Sequence, residues 1–253
     1  MLKTTIVLIS HQTPAEVVVM MSAWKRLNPE ADIHVAYGGT VEFFDEIPVP
    51  DKTFVPDPRL RTRDHQRERQ SYGELMRQVA ERLAGRGVER VLLVECDVQP
   101  LQPGLVKYLI GRECENEADL LGVGLRRVDG TGHPHVLAHE HDSRFGEWLA
   151  QSVREEKDVV LMMLGCLTWW TWDAFKGVAA ARAPFPVYLE LEMPTTAHML
   201  GFRVRDLPEF NADIEPLGEL GHCAETRRDA GRQVLHPCKK VWRNPCPNGA
   251  MPR

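Results

Sequence analysis

The chain has no hydrophobic run of membrane-spanning length. Its first apolar stretch, Thr5-Ile6-Val7-Leu8-Ile9, is as long as a strand, whereas a spanning helix takes about 18 or more such residues. No N-terminal segment joins a basic start to a long apolar run, so a cytoplasmic location without a membrane span is expected. There is also no surplus of positive charge. A net charge of −5 and a pI near 6.1 give no basis for a nucleic-acid partner. The one basic stretch, Arg59 through Arg67 and Arg69, is interleaved with Asp64 and Glu68, and reads either as the solvated start of a helix or as a phosphate-facing loop. Three motifs are missing. Without Gly-x-Gly-x-x-Gly after an early strand, or Gly-Lys-Ser/Thr, dinucleotide enzymes and P-loop NTPases are disfavoured. Without Gly-x-Ser-x-Gly, so is an α/β hydrolase. The six cysteines are too scattered for a disulfide scaffold, and Cys96 and Cys166, in apolar surroundings, are expected to be reduced core residues.

With 253 residues, 43% of them hydrophobic, the chain can form one large α/β domain or two small ones. The run from Thr5 to Ile9 predicts a parallel strand covered on both faces. Thr13 can cap, and Pro14 can open, a helix from Ala15 to Leu27. Asp32 to Tyr37 is the second strand, stopped by Gly38-Gly39. Leu75, Met76, Val79 and Leu83 predict a helix over Ser71–Leu83 ended by Gly85 and Gly87. Val91 to Val94 is a buried strand, Pro103 to Ile110 a short helix and Asp119 to Gly124 another strand. Further on, the pattern predicts helices over Arg144–Lys157 and Asp173–Arg182, strands over Leu161–Trp172 and Val187–Glu192, a helix over Thr195–Leu200 and a last strand from Phe202 to Pro208. Alternation of this kind implies a mostly parallel sheet with helices on both faces. After Asn211 apolar runs give way to scattered Pro and Gly, which reads as a tail or lid.

The chemistry concentrates at Val91-Leu92-Leu93-Val94-Glu95-Cys96-Asp97. Carboxylates two apart in an extended segment project to the same side. They emerge at the carboxyl edge of a buried strand, where open α/β sheets bind ligands, and a divalent ion bridging two phosphates takes oxygen ligands of this type.

This segment resembles the Asp-x-Asp element of GT-A glycosyltransferases, with Glu in the first place. The resemblance implies a GT-A fold of mixed, mostly parallel sheet flanked by helices. It also implies a nucleoside diphosphate sugar donor, an acceptor hydroxyl of unknown identity, and Mn2+ or Mg2+ held chiefly by Asp97 with Glu95 assisting. Leu235-His236-Pro237-Cys238-Lys239-Lys240-Val241-Trp242 is similar to the C-terminal His-x-x-x-Lys-Pro-Trp element of some GT-A enzymes. It implies His236 as a third metal ligand and Lys239 or Lys240 on the diphosphate, with the Pro before Trp242 missing. Tyr188-Leu189-Glu190-Leu191-Glu192-Met193-Pro194 looks like the acidic segment before the acceptor helix of inverting members. Glu190 or Glu192, on one face of a strand, would then be the base. By position, Ser10, His11, Gln12 and Thr13 would seat the nucleobase and ribose, Tyr37 would stack on the base and Arg69 would meet phosphate. Trp169, Trp170 and Trp172 are either core or an acceptor-side aromatic wall.

The likeness covers residues 4 to about 242, with 1–212 as the nucleotide-sugar and acceptor domain and 213–253 as a lid over the nucleotide. Two zinc sites compete with it. One is the His133–His141 loop with four histidines, which lacks a His-Glu-x-x-His helix; the other is a knuckle of His222, Cys223, His236, Cys238 and Cys246. Among functions, the alternatives are a non-catalytic nucleotide- or sugar-binding module and a sugar nucleotidyltransferase. The latter needs a Gly-rich, basic first loop that Ser10–Pro14 does not supply.

Overall fold

The computed structural model of the chain describes residues 2–61, 67, 70–139, 141–181, 183, 185–214, 228 and 231–237. Its elements in order begin with β1 (Thr4–Ser10), α1 (Pro14–Leu27), β2 (Asp32–Tyr37), α2 (Val41–Glu46) and β3 (Lys52–Phe54). Then come a 3-10 turn (Pro58–Arg61), α3 (Tyr72–Leu83), β4 (Arg90–Glu95), β5 (Gln99–Pro100) and α4 (Leu105–Asn116). β6 (Leu120–Arg127), α5 (Pro134–Leu137), α6 (Ser143–Leu149), β7 (Leu161–Thr171) and α7 (Trp172–Ala180) follow. The last are α8 (Leu189–Met199), β8 (Val204–Asp206) and β9 (Val234–Leu235).

Seven strands form one sheet in the order β3-β2-β1-β4-β7-β6-β8. All neighbours are parallel except β7, which runs antiparallel to both β4 and β6. This is the mixed, mostly parallel sheet that the GT-A resemblance implies. Alternate side chains of the central strands feed two cores. Val7, Ile9, Val91 and Leu93 pack with α3, α7 and α8 on one face. Ile6, Leu8, Leu92 and Val94 pack with α1 and α4 on the other. Covering on both faces is why β1 and β4 read as unbroken apolar runs instead of alternating ones.

Local signals explain most helix starts. Thr13 forms a capping box with Glu16 ahead of Pro14, satisfying two amide donors that a helix start leaves without partners. Ser143–Leu149 is a shorter helix than the expected Arg144–Lys157, whereas α4 and β6 extend beyond their expected ends.

One element differs in kind. Val187–Glu192 is not a strand, because Leu189–Met199 is a single helix with Pro194 inside it. The alternation Leu-Glu-Leu-Glu imitates a strand. However, this helix is buried on nearly all sides and so shows no amphipathic period. Gly165 on β7 makes room for it, since a Cβ there would lie 2.5 Å from Leu189 Cδ2. Among the described residues no helix is long and apolar enough to cross a membrane.

Candidate functional site

Because β1, β2 and β4 are parallel, their carboxyl ends share one sheet edge, and Ile9 pairs with Glu95 in register with Ser10 and Tyr37. β4 ends at Glu95, and a turn closed by Val98 N–H on Glu95 O (3.1 Å) carries Cys96 and Asp97. The chain then enters β5, which pairs antiparallel with β9 through Gln99–Leu235 and Pro100–Val234. Leu101 N–H donates to Gln233 O (2.8 Å), which laces the 231–237 segment to the residues just after Asp97, and His236 N–H donates to Asp213 O (2.9 Å).

The outcome is a three-residue cluster. Glu95, Asp97 and His236 each offer a ligand atom, and these atoms lie within 4.8 Å of one another. His236 Nε2 is 3.3 Å from Asp97 Oδ1. Glu95 is only 6% exposed, and its Oε1 accepts a hydrogen bond from Tyr72 Oη at 3.2 Å. Carboxylates drawn together away from water need positive charge to balance them. Two oxygens and one imidazole nitrogen form a donor set that suits Mn2+ and leaves coordination positions for phosphate or water. Among the described residues this is the only group of three or more His, Cys, Asp or Glu with ligand atoms so close. The histidines of the 133–141 loop do not form such a group, and His135 instead stacks on Tyr188 at 3.8 Å. His222, Cys223, Cys238 and Cys246, which the knuckle requires, lie outside the described residues, as do Lys239, Lys240 and Arg69.

The β1 edge supplies the next groups. Ser10 is buried and its Oγ accepts from Gln12 N–H (3.2 Å), shaping the turn. Gln12 Nε2 lies 3.7 Å from Cys96 Sγ and 3.1 Å from His11 Nε2, which puts His11 and Gln12 beside the carboxylate turn. Thr13 is occupied as the helix cap. Tyr37 does not offer a stacking face, because it is wholly buried and donates its hydroxyl to Gln12 O at 2.9 Å. Burial pushes its phenol up to about 12, so it remains a donor.

The two candidate bases separate. Residues two apart on a helix point to nearly opposite sides, about 200° apart, so Glu190 and Glu192 do not share a face as expected for a strand. Glu192 is buried, accepts from Ala183 N–H (2.9 Å), and lies against Gly73, where a Cβ would be 3.2 Å from its Oε2. Asp57 and, more weakly, Glu192 and Glu74 hold Arg59 in its cationic form, and that guanidinium also bonds Gln70 O at 3.2 Å. Glu190 is half-buried, and Gly165 N–H donates to its Oε1 at 3.5 Å. Gly165 continues the β7 ladder two residues past the Leu167–Val94 pair, toward the β4 edge that ends in Glu95. That is the edge where the Glu95, Asp97 and His236 cluster lies.

The tryptophans are a correction. Trp169 and Trp170 pair with Leu92 and Val91, and Thr171, just before Trp172, pairs with Arg90, all on the amino-terminal side of β4 away from Glu95. Trp169 and Trp170 have no exposed surface, and their indole N–H groups donate to Glu113 Oε2 and Thr168 Oγ1, each at 2.7 Å. Trp172 stacks on Phe175. Trp169 and Trp170 are core residues and Trp172 packs partly buried against the same core, at the edge to which antiparallel β7 carries its aromatic end. The bond from Tyr72 to Glu95 joins residues 23 apart in sequence and is not encoded by any local motif. A tyrosine opening the helix before the carboxylate strand is its only trace in the sequence.

No family model and no curated protein matches the chain. Solved structures similar to it include a glycosyltransferase involved in glycosylation of the major capsid of PBCV-1, at 11% identity and TM-score 0.47 over 95% of each chain. An active-site mutant of LgtC is similar at 11% identity and TM-score 0.47, over 92% of this chain and 87% of that one. The bifunctional glycosyltransferase WbbM matches at 11% identity and TM-score 0.44; 93% of this chain is covered but only 45% of WbbM.

Proposed function

We propose that the chain is a divalent-metal-dependent glycosyltransferase that moves a sugar from a nucleoside diphosphate donor to an acceptor hydroxyl. The observation that carries this reading is the convergence of Glu95, Asp97 and His236 at the carboxyl edge of the sheet. Asp97 and His236 hold the cation with Glu95, and His11 and Gln12 flank the donor side. A bound Mn2+ or Mg2+ supplies Lewis-acid stabilisation of the charge that grows on the leaving diphosphate. If the reaction inverts, Glu190 takes the acceptor proton as that oxygen bonds the anomeric carbon and the diphosphate leaves with the electrons of the broken bond. Glu192, tied to Ala183 N–H and packed on Gly73, keeps a structural task. Lys239 and Lys240 on the diphosphate, and the stretch 213–253 as a lid that excludes water, complete the reading.

A thermal-shift panel of nucleoside diphosphates and their sugars, with and without Mn2+, tests it. A ligand that binds only the native state raises apparent stability. The expected result is a Mn2+-dependent shift for one nucleobase, followed by Mn2+-dependent hydrolysis of the matching sugar donor, both abolished by Asp97→Ala. Binding without turnover would favour a binding module. Neither binding nor turnover across the panel would sink the glycosyltransferase reading.

A further inference from the structure

We propose that Tyr72 is a positioning residue that fixes the Glu95 carboxylate as a cation ligand, an inference that rests on the metal-dependent reading above. Glu95 occupies the place where the Asp-x-Asp resemblance has the shorter Asp. Its additional methylene gives the carboxylate one more rotatable bond, so holding it in a single ligating position costs more side-chain entropy. A hydrogen bond from outside β4 offsets part of that cost.

Tyr72 is placed to do so. It is 3% exposed and packed in the same core as Ile9, Leu75 and Met76, so its ring is a stiff arm with its hydroxyl at the end. That hydroxyl donates to Glu95 Oε1 at 3.2 Å, between two buried groups. A carboxylate has two oxygens and about four lone-pair sites, so accepting one phenol leaves it able to ligate a cation. The arm is itself anchored. Tyr72 begins α3, and the next residue, Gly73, packs directly on the Glu192 carboxylate. Glu192 is in turn held by Ala183 N–H at 2.9 Å. The first turn of α3 thus joins the metal carboxylate to the start of α8.

Such outer hydrogen bonds orient metal ligands, and losing one typically weakens metal binding by about 10–100-fold. The test is a Mn2+ titration of the purified chain, without nucleotide, followed by the electron paramagnetic resonance of free Mn2+. It compares the wild type, Tyr72→Phe, Glu95→Gln and the double variant, with melting temperatures recorded for all four. Tyr72→Phe is expected to weaken Mn2+ binding about tenfold or more in the wild-type background and to have no further effect once Glu95 is Gln. Unchanged Mn2+ affinity in Tyr72→Phe, with or without a lower melting temperature, overturns the positioning role while leaving the metal site standing. Equal weakening in both backgrounds also overturns it, because the effect would then not pass through Glu95. A wild type that binds no Mn2+ overturns both this inference and the metal-dependent reading.

Discussion

His236 Nε2 lies 3.3 Å from Asp97 Oδ1, although the two residues come from opposite parts of the chain. The contact exists because β5 leaves the Asp97 turn and finds β9 as its antiparallel partner. The ladder places the imidazole as directly as β4 places the carboxylates, so a cation held by this cluster would couple its binding to docking of the 231–237 segment.

From that coupling, His236→Ala should weaken Mn2+ binding by about tenfold or more, with a smaller effect on Mg2+, which prefers oxygen ligands. Calorimetric titrations with the two ions measure this. An unchanged ratio of Mn2+ to Mg2+ affinity would mean that the imidazole is not a ligand.

Glu190 and Glu192 should respond differently to substitution. Glu190→Gln should lower kcat by about 10²–10⁴ with little change in melting temperature if Glu190 is the general base. Glu192→Ala leaves the Ala183 amide buried without its acceptor and should cost about 1–3 kcal/mol of stability. Paired kinetics and urea denaturation separate the two, and a kinetic effect confined to Glu192 would reverse the assignment.

Gly165 sits where α8 touches β7, and an added Cβ would come within 2.5 Å of Leu189 Cδ2. Gly165→Ala should cost about 1–3 kcal/mol through overpacking and should shift Glu190, whose carboxylate rests on the same residue's amide. Denaturant melts together with turnover assays test the coupling. Normal stability with normal turnover would show that α8 adjusts freely.

Acid sensitivity should arise partly at Asp51. Burial alone would raise its carboxyl, but hydrogen bonds and charge from His34 (2.8 Å) and Arg86 (2.6 Å) outweigh burial and hold it below its ordinary value. A depressed native value means that the unfolded state takes up the proton first. The stabilisation is therefore fully present above the unfolded value of about 3.9 and is lost as pH falls through the native one. Asp51→Asn should destabilise the protein at neutral pH, with the gap to wild type closing below about pH 4. Denaturation curves at three pH values measure it, and a gap constant down to pH 3 would contradict the assignment.

The apolar runs of β1 and β4, the Thr13-Pro14 helix start and the Glu95-x-Asp97 pair at a strand end were legible because each is a local pattern with a local cause. The α8 segment was misread for a physical reason. A helix buried on nearly all sides loses its 3.6-residue period, and Leu-Glu-Leu-Glu then imitates a strand. Whether the tryptophans are core or an acceptor-side wall is not legible locally, because residue type does not reveal strand direction. Antiparallel β7 takes Trp169 and Trp170 to the edge away from Asp97.

Composition and local pattern by themselves determined an α/β chain with two neighbouring carboxylates at the end of a buried strand. Tertiary structure alone decided that His236 joins them, that Tyr72 holds Glu95, and that Glu190 rather than Glu192 lies on the β7 amide beside the ligand edge. Each of these depends on strand pairing or helix packing between residues far apart in the chain, and no local propensity encodes such contacts.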